Sequence, residues 1–365
     1  MEAAAKTGTF SLYGFFFCGI LEKIIGEKRK VMKKRNISGT NRSLWERLIG
    51  WVRSIPSARR AGKELSALSQ QRGDHIIFNG RCMIGDLCYE LCYLDALKKE
   101  SGKKAAVITN EYTKGIAACY PGVDGIVTVT DNDFFVWSRL SKLHLPTGLT
   151  LTKADGTEPS HLINWSISAD ADWVGADVRD LSLPEAHRAL QYRLPRTAEM
   201  TYPDEALIAG QTSFSSYEQF RNAVIFNPHA LTMPTEEMLP FMEQLAAEWS
   251  GRGYTVYTNV VGEQKCIPGT LPLRCSVYDF YFAAKASACV VSTRTGLLDF
   301  CINNGARYVT LYKDAWNGQF FQMYTLEAWK TKSRIREMIF PDAPDTDFLK
   351  KVNNAIEELI GSQEV

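Results

Sequence analysis

No apolar run near the start of this sequence is long enough to cross a membrane. Phe10–Leu21 (FSLYGFFFCGIL) has only 12 residues, where a spanning helix needs ~20. The basic cluster follows that run instead of preceding it, and no small-residue cleavage site is evident, so an export signal is not expected either. The nine cysteines contain no pair at zinc-ribbon spacing. Their odd number and apolar settings (Cys88, Cys92, Cys289, Cys301) read as buried reduced thiols of a cytoplasmic protein, not as a disulfide framework. No Gly-x-Gly-x-x-Gly follows the first strand-like run, which argues against a dinucleotide oxidoreductase. The nearest approach to Asp-x-Asp, Asp131-Asn132-Asp133, reads as a loop or a helix start, so no metal site is expected.

What is present fits a soluble globular protein of ordinary make-up. The 365 residues suffice for two domains and an extension, and 45% apolar with 23% charged residues is usual. The overall charge of +1 hides an asymmetry: residues 1–75 hold 15 Lys/Arg against 6 Asp/Glu, a net of +9, while the remaining 27 basic and 35 acidic residues give −8. The N-terminal segment is a separate electrostatic object that suits an anionic partner. It carries basic runs at Lys28-Arg29-Lys30 and Lys33-Lys34-Arg35, then Trp45, Leu48, Ile49, Trp51 and Val52 near helical spacing among Arg42, Arg47 and Arg53. Residues 10–60 therefore suit either a helix on an anionic membrane surface or one packed on the protein's own body. No recognised nucleic-acid motif accompanies the charge, so nucleic acid is not the expected partner.

From residue 75 the pattern becomes alternating strand and helix. His75–Asn79 reads as a buried strand, 80–85 as a loop, and Asp86–Lys99 as one helix with Leu87, Leu91, Leu94 and Leu97 on a stripe, ended by Gly102. Ala105–Thr109 and Gly125–Val129 read as further strands; residues 145–215, rich in Pro and Gly, have no readable order. The pattern restarts with a strand at Ala223–Asn227, a helix at Pro234–Trp249 and strands at Tyr254–Thr258, Cys289–Ser292 and Tyr308–Tyr312. Helices are expected at Tyr278–Ala286, Gly296–Asn303 and Asp347–Leu359. Alternation of this kind implies parallel pairing through βαβ units.

Three segments carry chemistry. In Val290–Asp299 a buried strand enters a tight Thr295-Gly296 turn that opens a helix, which aims free backbone N–H groups at one spot and suits a phosphate. Arg294 beside that turn could fork onto a diphosphate, or pair with an acidic neighbour. At Gly85-Asp86 a carboxylate stands at a strand–helix junction, where it could serve as a general base or simply as a helix N-cap. In Asn227-Pro228-His229-Ala230, His229 could contact a ligand or be an ordinary surface residue.

The order of these segments resembles that of the bacterial heptosyltransferases, glycosyltransferase family 9. That family has a Gly-Asp at the first junction and an Asp-Thr-Gly-x-x-His segment after the later strand. This chain matches Gly85-Asp86, Thr295-Gly296, the following helix, Asn304-Gly305 and the strand Tyr308–Tyr312. It departs at Arg294, where the family has Asp, at Asp299, where the family has His, and in lacking a Lys between Ala230 and Pro234. The resemblance spans residues 75–130 and 220–315. It implies an α/β chain of GT-B fold, two Rossmann-like doubly wound domains facing a cleft: an acceptor domain at 75–215 and a nucleotide-sugar domain at 216–330, with a basic extension at 1–74 and a helical tail at 331–365.

The function so implied is metal-independent transfer of a sugar from a nucleotide diphosphate-sugar to a glycan or lipid-linked acceptor, without a cofactor. Asp86 would be the base. Arg294, Thr295, Gly296 and Leu297 would hold the donor diphosphate, and His229 and Asp299 would contact the donor more weakly. The resemblance places such an enzyme in bacterial cell-envelope polysaccharide or lipopolysaccharide synthesis, at the inner face of the cytoplasmic membrane. A nucleotide-sugar epimerase, a fucosyltransferase and a non-catalytic GT-B-like scaffold stand as alternatives, the last favoured by the changes at 294 and 299.

Overall fold

A computed structural model describes residues 75–80, 83–128, 162–163, 181–230, 235–313 and 319–361. The membrane surface expected of residues 10–60, the whole of the 1–74 extension and Asp131–Asp133 lie outside the described residues.

Among the described residues, the first half holds a four-stranded parallel sheet. Strand β1 (His75–Gly80) leads to helices α1 (Ile84–Leu91) and α2 (Leu94–Ser101), then to β2 (Lys104–Thr109), a short α3 (Lys114–Ala117), β3 (Gly125–Thr128) and β4 (Leu162–Ile163). The strand order is β3-β2-β1-β4, with Gly80 opposite Thr109 and Phe78 opposite Ile163. The single helix expected over 86–99 is two helices. At the break the Cys92 carbonyl accepts from Thr201 N at 2.7 Å, and Asp95 N donates to Thr201 Oγ1 at 2.9 Å. A distant segment thus supplies hydrogen bonds that periodicity within the helix cannot register. Gly102 ends α2 in the left-handed region, at φ 66°, a conformation costly for a residue with a Cβ.

The connector contributes α4 (Leu183–Ala186), a π-helical turn at His187–Gln191, α5 (Glu205–Ala209) and a 3-10 turn at Glu218–Phe220. It is tied to the second half at Asp279, whose carboxylate accepts from Ser213 N, Phe214 N, Ser213 Oγ, Tyr217 OH and Ser276 Oγ at 2.6–2.9 Å. Burial works against that charge, but the five donors outweigh it and hold the carboxyl far below the usual range.

The second half holds a six-stranded parallel sheet. Its elements are β5 (Ala223–Asn227), α6 (Leu239–Gly251), β6 (Thr255–Asn259), β7 (Leu271–Leu273), α7 (Val277–Ala286) and β8 (Cys289–Thr293). They continue as α8 (Gly296–Cys301), β9 (Arg307–Lys313), α9 (Gln319–Tyr324), β10 (Arg334–Phe340) and α10 (Thr346–Gly361). The order is β10-β9-β8-β5-β6-β7. Every residue of β5 and β8 is buried, as expected for parallel strands covered on both faces. Alternate side chains go to opposite layers. Ala223, Ile225, Val290 and Tyr308 join the core shared with α1, α7 and α8, while Val224, Phe226, Val291 and Val309 meet Met242 and Trp249 of α6 and Ile356 of α10.

The second half also departs from expectation. Helix α6 starts at Leu239, after a 3-10 turn at Glu236–Met238, because Pro240 lacks an N–H and fits only a first turn. Residues 334–340 are not part of a helical tail: β10 pairs with β9 from Arg334↔Arg307 to Phe340↔Lys313 and extends the sheet. α10 packs on the same layer as α6, so the second half runs on to residue 361.

Candidate active site

Each sheet has one point at which chain order reverses direction: between β1 and β4 in the first, between β5 and β8 in the second. Doubly wound sheets bind ligands beyond the strand C-terminal ends at such points. Strand β1 leads into α1 and β8 leads into α8, and the two helix starts touch. A Cβ placed on Gly85 would sit 2.8 Å from Gly296 Cα, and one on Gly296 would sit 2.6 Å from Gly85 N. Backbone meets backbone there, so neither position has room for a side chain. Behind the contact, Leu87, Cys88 and Leu91 of α1 share a core with Leu298 and Cys301 of α8. The two switch points therefore meet, and Asp86 is brought to the Thr295–Leu297 turn.

Asp86 is the third residue of α1, not its N-cap; Met83 holds the cap position. The Asp86 carboxylate accepts from Met83 N at 3.3 Å, reaching back over the helix start. Its carboxyl is pushed up to about 6, chiefly by burial and further by the nearby Asp299 charge, against the Met83 N–H and Arg294. A carboxylate poised there is basic enough to take a proton near neutral pH while remaining ionised.

Arg294 is used differently from expectation. Its side chain is 4% exposed, and each of its three guanidinium nitrogens donates to the protein. Nε donates to the Tyr324 carbonyl at 2.8 Å, Nη1 to the Thr295 carbonyl at 2.7 Å, and Nη2 to Asp299 Oδ1 at 2.5 Å and to the Tyr89 hydroxyl. Burial opposes the charge on Arg294, but Asp299, Tyr89 and Tyr312 together outweigh it and hold the guanidinium above its ordinary range. The same burial raises the Asp299 carboxyl against the pull of Arg294. The reading in which Arg294 pairs with an acidic neighbour is the one realised. Asp299 is likewise turned inward, 2% exposed, its carboxylate 2.7 Å from where a Gly85 Cβ would stand.

Sequence reasoning missed the groups that enclose this pair. Tyr89 lies three residues after Asp86 on α1, a spacing that could have flagged it. Tyr324 and Trp329 carried no local signal. They are positioned by Glu337 of β10, which accepts from Thr325 Oγ1 at 2.6 Å, Leu326 N at 2.8 Å and Glu327 N at 3.1 Å. The Trp329 ring lies 5.1 Å from that of Tyr89.

On the other side of the turn the groups are neutral. Thr295 is the N-cap residue of α8, with extended backbone, and its hydroxyl makes no capping bond to that helix. Instead Thr295 Oγ1 accepts from Asn227 Nδ2 at 3.3 Å. Asn227 also donates to Ser292 Oγ at 2.9 Å and accepts from Asn259 Nδ2 at 2.9 Å. Gly296 and Leu297 form the first turn of α8 and are half-buried. His229 Nε2 lies 3.0 Å from the Lys265 carbonyl.

Among the described residues no group of three or more His, Cys, Asp or Glu is placed to hold a metal ion. The seven described cysteines are free, five of them buried. No described helix is long and apolar enough to cross a membrane.

Two parallel doubly wound sheets with facing switch points define the GT-B fold, and solved structures of that fold match this one. A glycosyl transferase family 9 protein from Veillonella parvula DSM 2008 superimposes with a TM-score of 0.53 at 10% identity, over 80% of this chain and 98% of that one. The E. coli ADP-heptose lipopolysaccharide heptosyltransferase II gives 0.53 at 14% identity, over 80% and 100%. E. coli heptosyltransferase WaaC, solved with ADP, gives 0.51 at 12% identity, over 78% and 99%. No family model and no curated protein matches the sequence. At these identities the likeness is one of fold, with the family 9 resemblance carried by the residues named above.

Proposed function

We propose that this chain is a glycosyltransferase that moves a sugar from a nucleotide diphosphate-sugar to a glycan or lipid-linked acceptor. The observation that carries the reading is the Gly85–Gly296 contact, which sets a carboxylate with raised proton affinity, Asp86, beside the Thr295-Gly296-Leu297 turn. The acceptor hydroxyl oxygen attacks the anomeric carbon, Asp86 takes its proton, and the sugar–phosphate bond breaks with its electron pair going to the diphosphate. The turn meets that charge with backbone N–H groups and the Thr295 hydroxyl, so the transfer is read as metal-independent. Arg294 and Asp299 act from behind, by fixing the Thr295 carbonyl and the start of α8. ADP in one structure of the same fold supports a nucleotide as donor. His229 is kept as a weaker donor contact. The N-terminal segment, with its net charge of +9, suits attachment to the anionic cytoplasmic face of a membrane.

Thermal shift against ADP, GDP, UDP and CMP species tests the donor class, since a bound ligand raises stability by mass action. At least one nucleoside diphosphate should raise the melting temperature, and its sugar derivative should turn over only with added acceptor. Turnover without acceptor would point to an epimerase. Absence of any nucleotide response would support a non-catalytic scaffold, which the buried Arg294–Asp299 pair at two motif positions also favours. Binding to anionic vesicles should weaken with salt and vanish on removal of residues 1–70; equal binding of the shortened chain would remove the membrane from the reading.

A further inference from the structure

Asn227, Ser292 and Asn259 lie at or next to the C-terminal ends of three neighbouring strands, β5, β8 and β6 respectively, with Asn227 opposite Ser292 in register. All three side chains are buried, Asn227 being 3% exposed. Their hydrogen bonds fix the orientation of the Asn227 amide. Its oxygen accepts from Asn259 Nδ2, so its nitrogen must face Ser292 and Thr295, and both of its N–H groups are spent there. The two hydroxyls then differ. Ser292 accepts from Asn227 and passes its own proton to the Thr293 carbonyl at 2.6 Å. Thr295 accepts from Asn227, makes no capping bond to α8, and its hydroxyl proton has no acceptor among the described residues. Thr295 is also the half-exposed member of the set. A hydroxyl whose lone pair is taken from inside is left to donate outward.

We propose that Asn227 is a positioning residue: by donating to Thr295 Oγ1 it makes that hydroxyl a hydrogen-bond donor to the phosphate of a bound nucleoside diphosphate. Asn259 completes the device by locking the amide, so the order Asn259, Asn227, Thr295, phosphate forms one directed chain. The inference rests on the nucleotide reading given above and adds to it a residue whose effect passes through another.

The test is a double-mutant cycle on the dissociation constant of whichever of ADP, GDP, UDP and CDP binds most tightly. Asn227→Ala should weaken binding about tenfold, the scale of one hydrogen bond to a charged group. Combined with Thr295→Val the same change should cost less than twofold, because there is no hydroxyl left to direct. The parent nucleoside, which lacks phosphate, should bind both single variants as it binds wild type. Asn227→Ser, which keeps a polar partner for Asn259, serves if the alanine variant fails to fold, and should show the same coupling. A loss that is equal in both backgrounds, or no loss, overturns the role of Asn227 and leaves the nucleotide reading standing. A wild-type protein that binds none of the four diphosphates overturns both.

Discussion

Two polar networks flank the Thr295-Gly296 turn, and they are built on opposite plans. Behind the turn, Arg294 and Asp299 form a charged pair that is closed to solvent and saturated by Tyr89, Tyr324 and the Thr295 carbonyl. In front, Asn259, Asn227 and Ser292 are neutral, and their chain of bonds ends on a half-exposed hydroxyl with a proton to give. A saturated buried network can only hold the structure in place, whereas a network with a free end can recognise something. Charge in a motif is therefore a poor guide to ligand contact: the single Arg of the segment is closed to solvent and already paired.

The largest effect expected is on the closed network. Arg294→Ala should cost about 3–5 kcal/mol of folding stability, the penalty for leaving a buried charge unpaired. Asp299→Ala should cost a similar amount, and Arg294→Met with Asp299→Leu should recover much of it. Denaturant unfolding measures this; a loss below about 1 kcal/mol, typical of an exposed pair, would mean the pair is solvated in solution.

Asp86→Asn should lower turnover by about 10²–10⁴-fold, the usual contribution of a general base. The amide oxygen can still accept from Met83 N, and a partly buried charge is removed, so the melting temperature at neutral pH should not fall below that of wild type. Retention of more than about a tenth of the wild-type rate would rule Asp86 out as the base, and Glu90, one turn further along α1, would be next to test.

Gly296→Ala probes the contact that joins the two sides. The new Cβ would lie 2.6 Å from Gly85 N and 2.9 Å from Gly85 Cα, against backbone that cannot rotate away. A stability loss of about 1–3 kcal/mol is expected, as for other overpacked sites. Gly253→Ala gives no such clash, because nothing lies within 4 Å of its Cβ position, but its φ of 88° makes it a test of backbone strain alone.

The last effect is confined to a pH window. The Asp86 carboxyl binds its proton more tightly in the folded protein, at about 6, than at its ordinary 3.8. The folded state thus holds more protons between these values, and stability falls as pH rises through that window, then levels. Asp86→Asn removes this fall, so its stability relative to wild type should climb from pH 4 to 6 and stay constant above. A difference independent of pH would show that Asp86 titrates normally.

Most strands of both halves, though not the short β4 and β7, were legible because parallel strands covered on two faces are continuous apolar runs, and β5 and β8 show the pattern without interruption. The break between α1 and α2 was not legible, because Thr201, which creates it, lies over a hundred residues away. Strand β10 escaped because Arg334-Ile335-Arg336-Glu337 carries three charges, each tolerable on an edge strand and unremarkable in a tail.

Periodicity and residue types within a few positions are enough to specify the two alternating α/β halves, the Gly85-Asp86 junction and the Thr295-Gly296 turn. What those segments do together is set by packing. Partnerships such as Arg294 with Tyr89, Asn227 with Thr295 and Gly85 with Gly296 join positions about 70 to 210 residues apart. No local signal encodes them, because a side chain's free donors are fixed by which groups packing brings within hydrogen-bond reach.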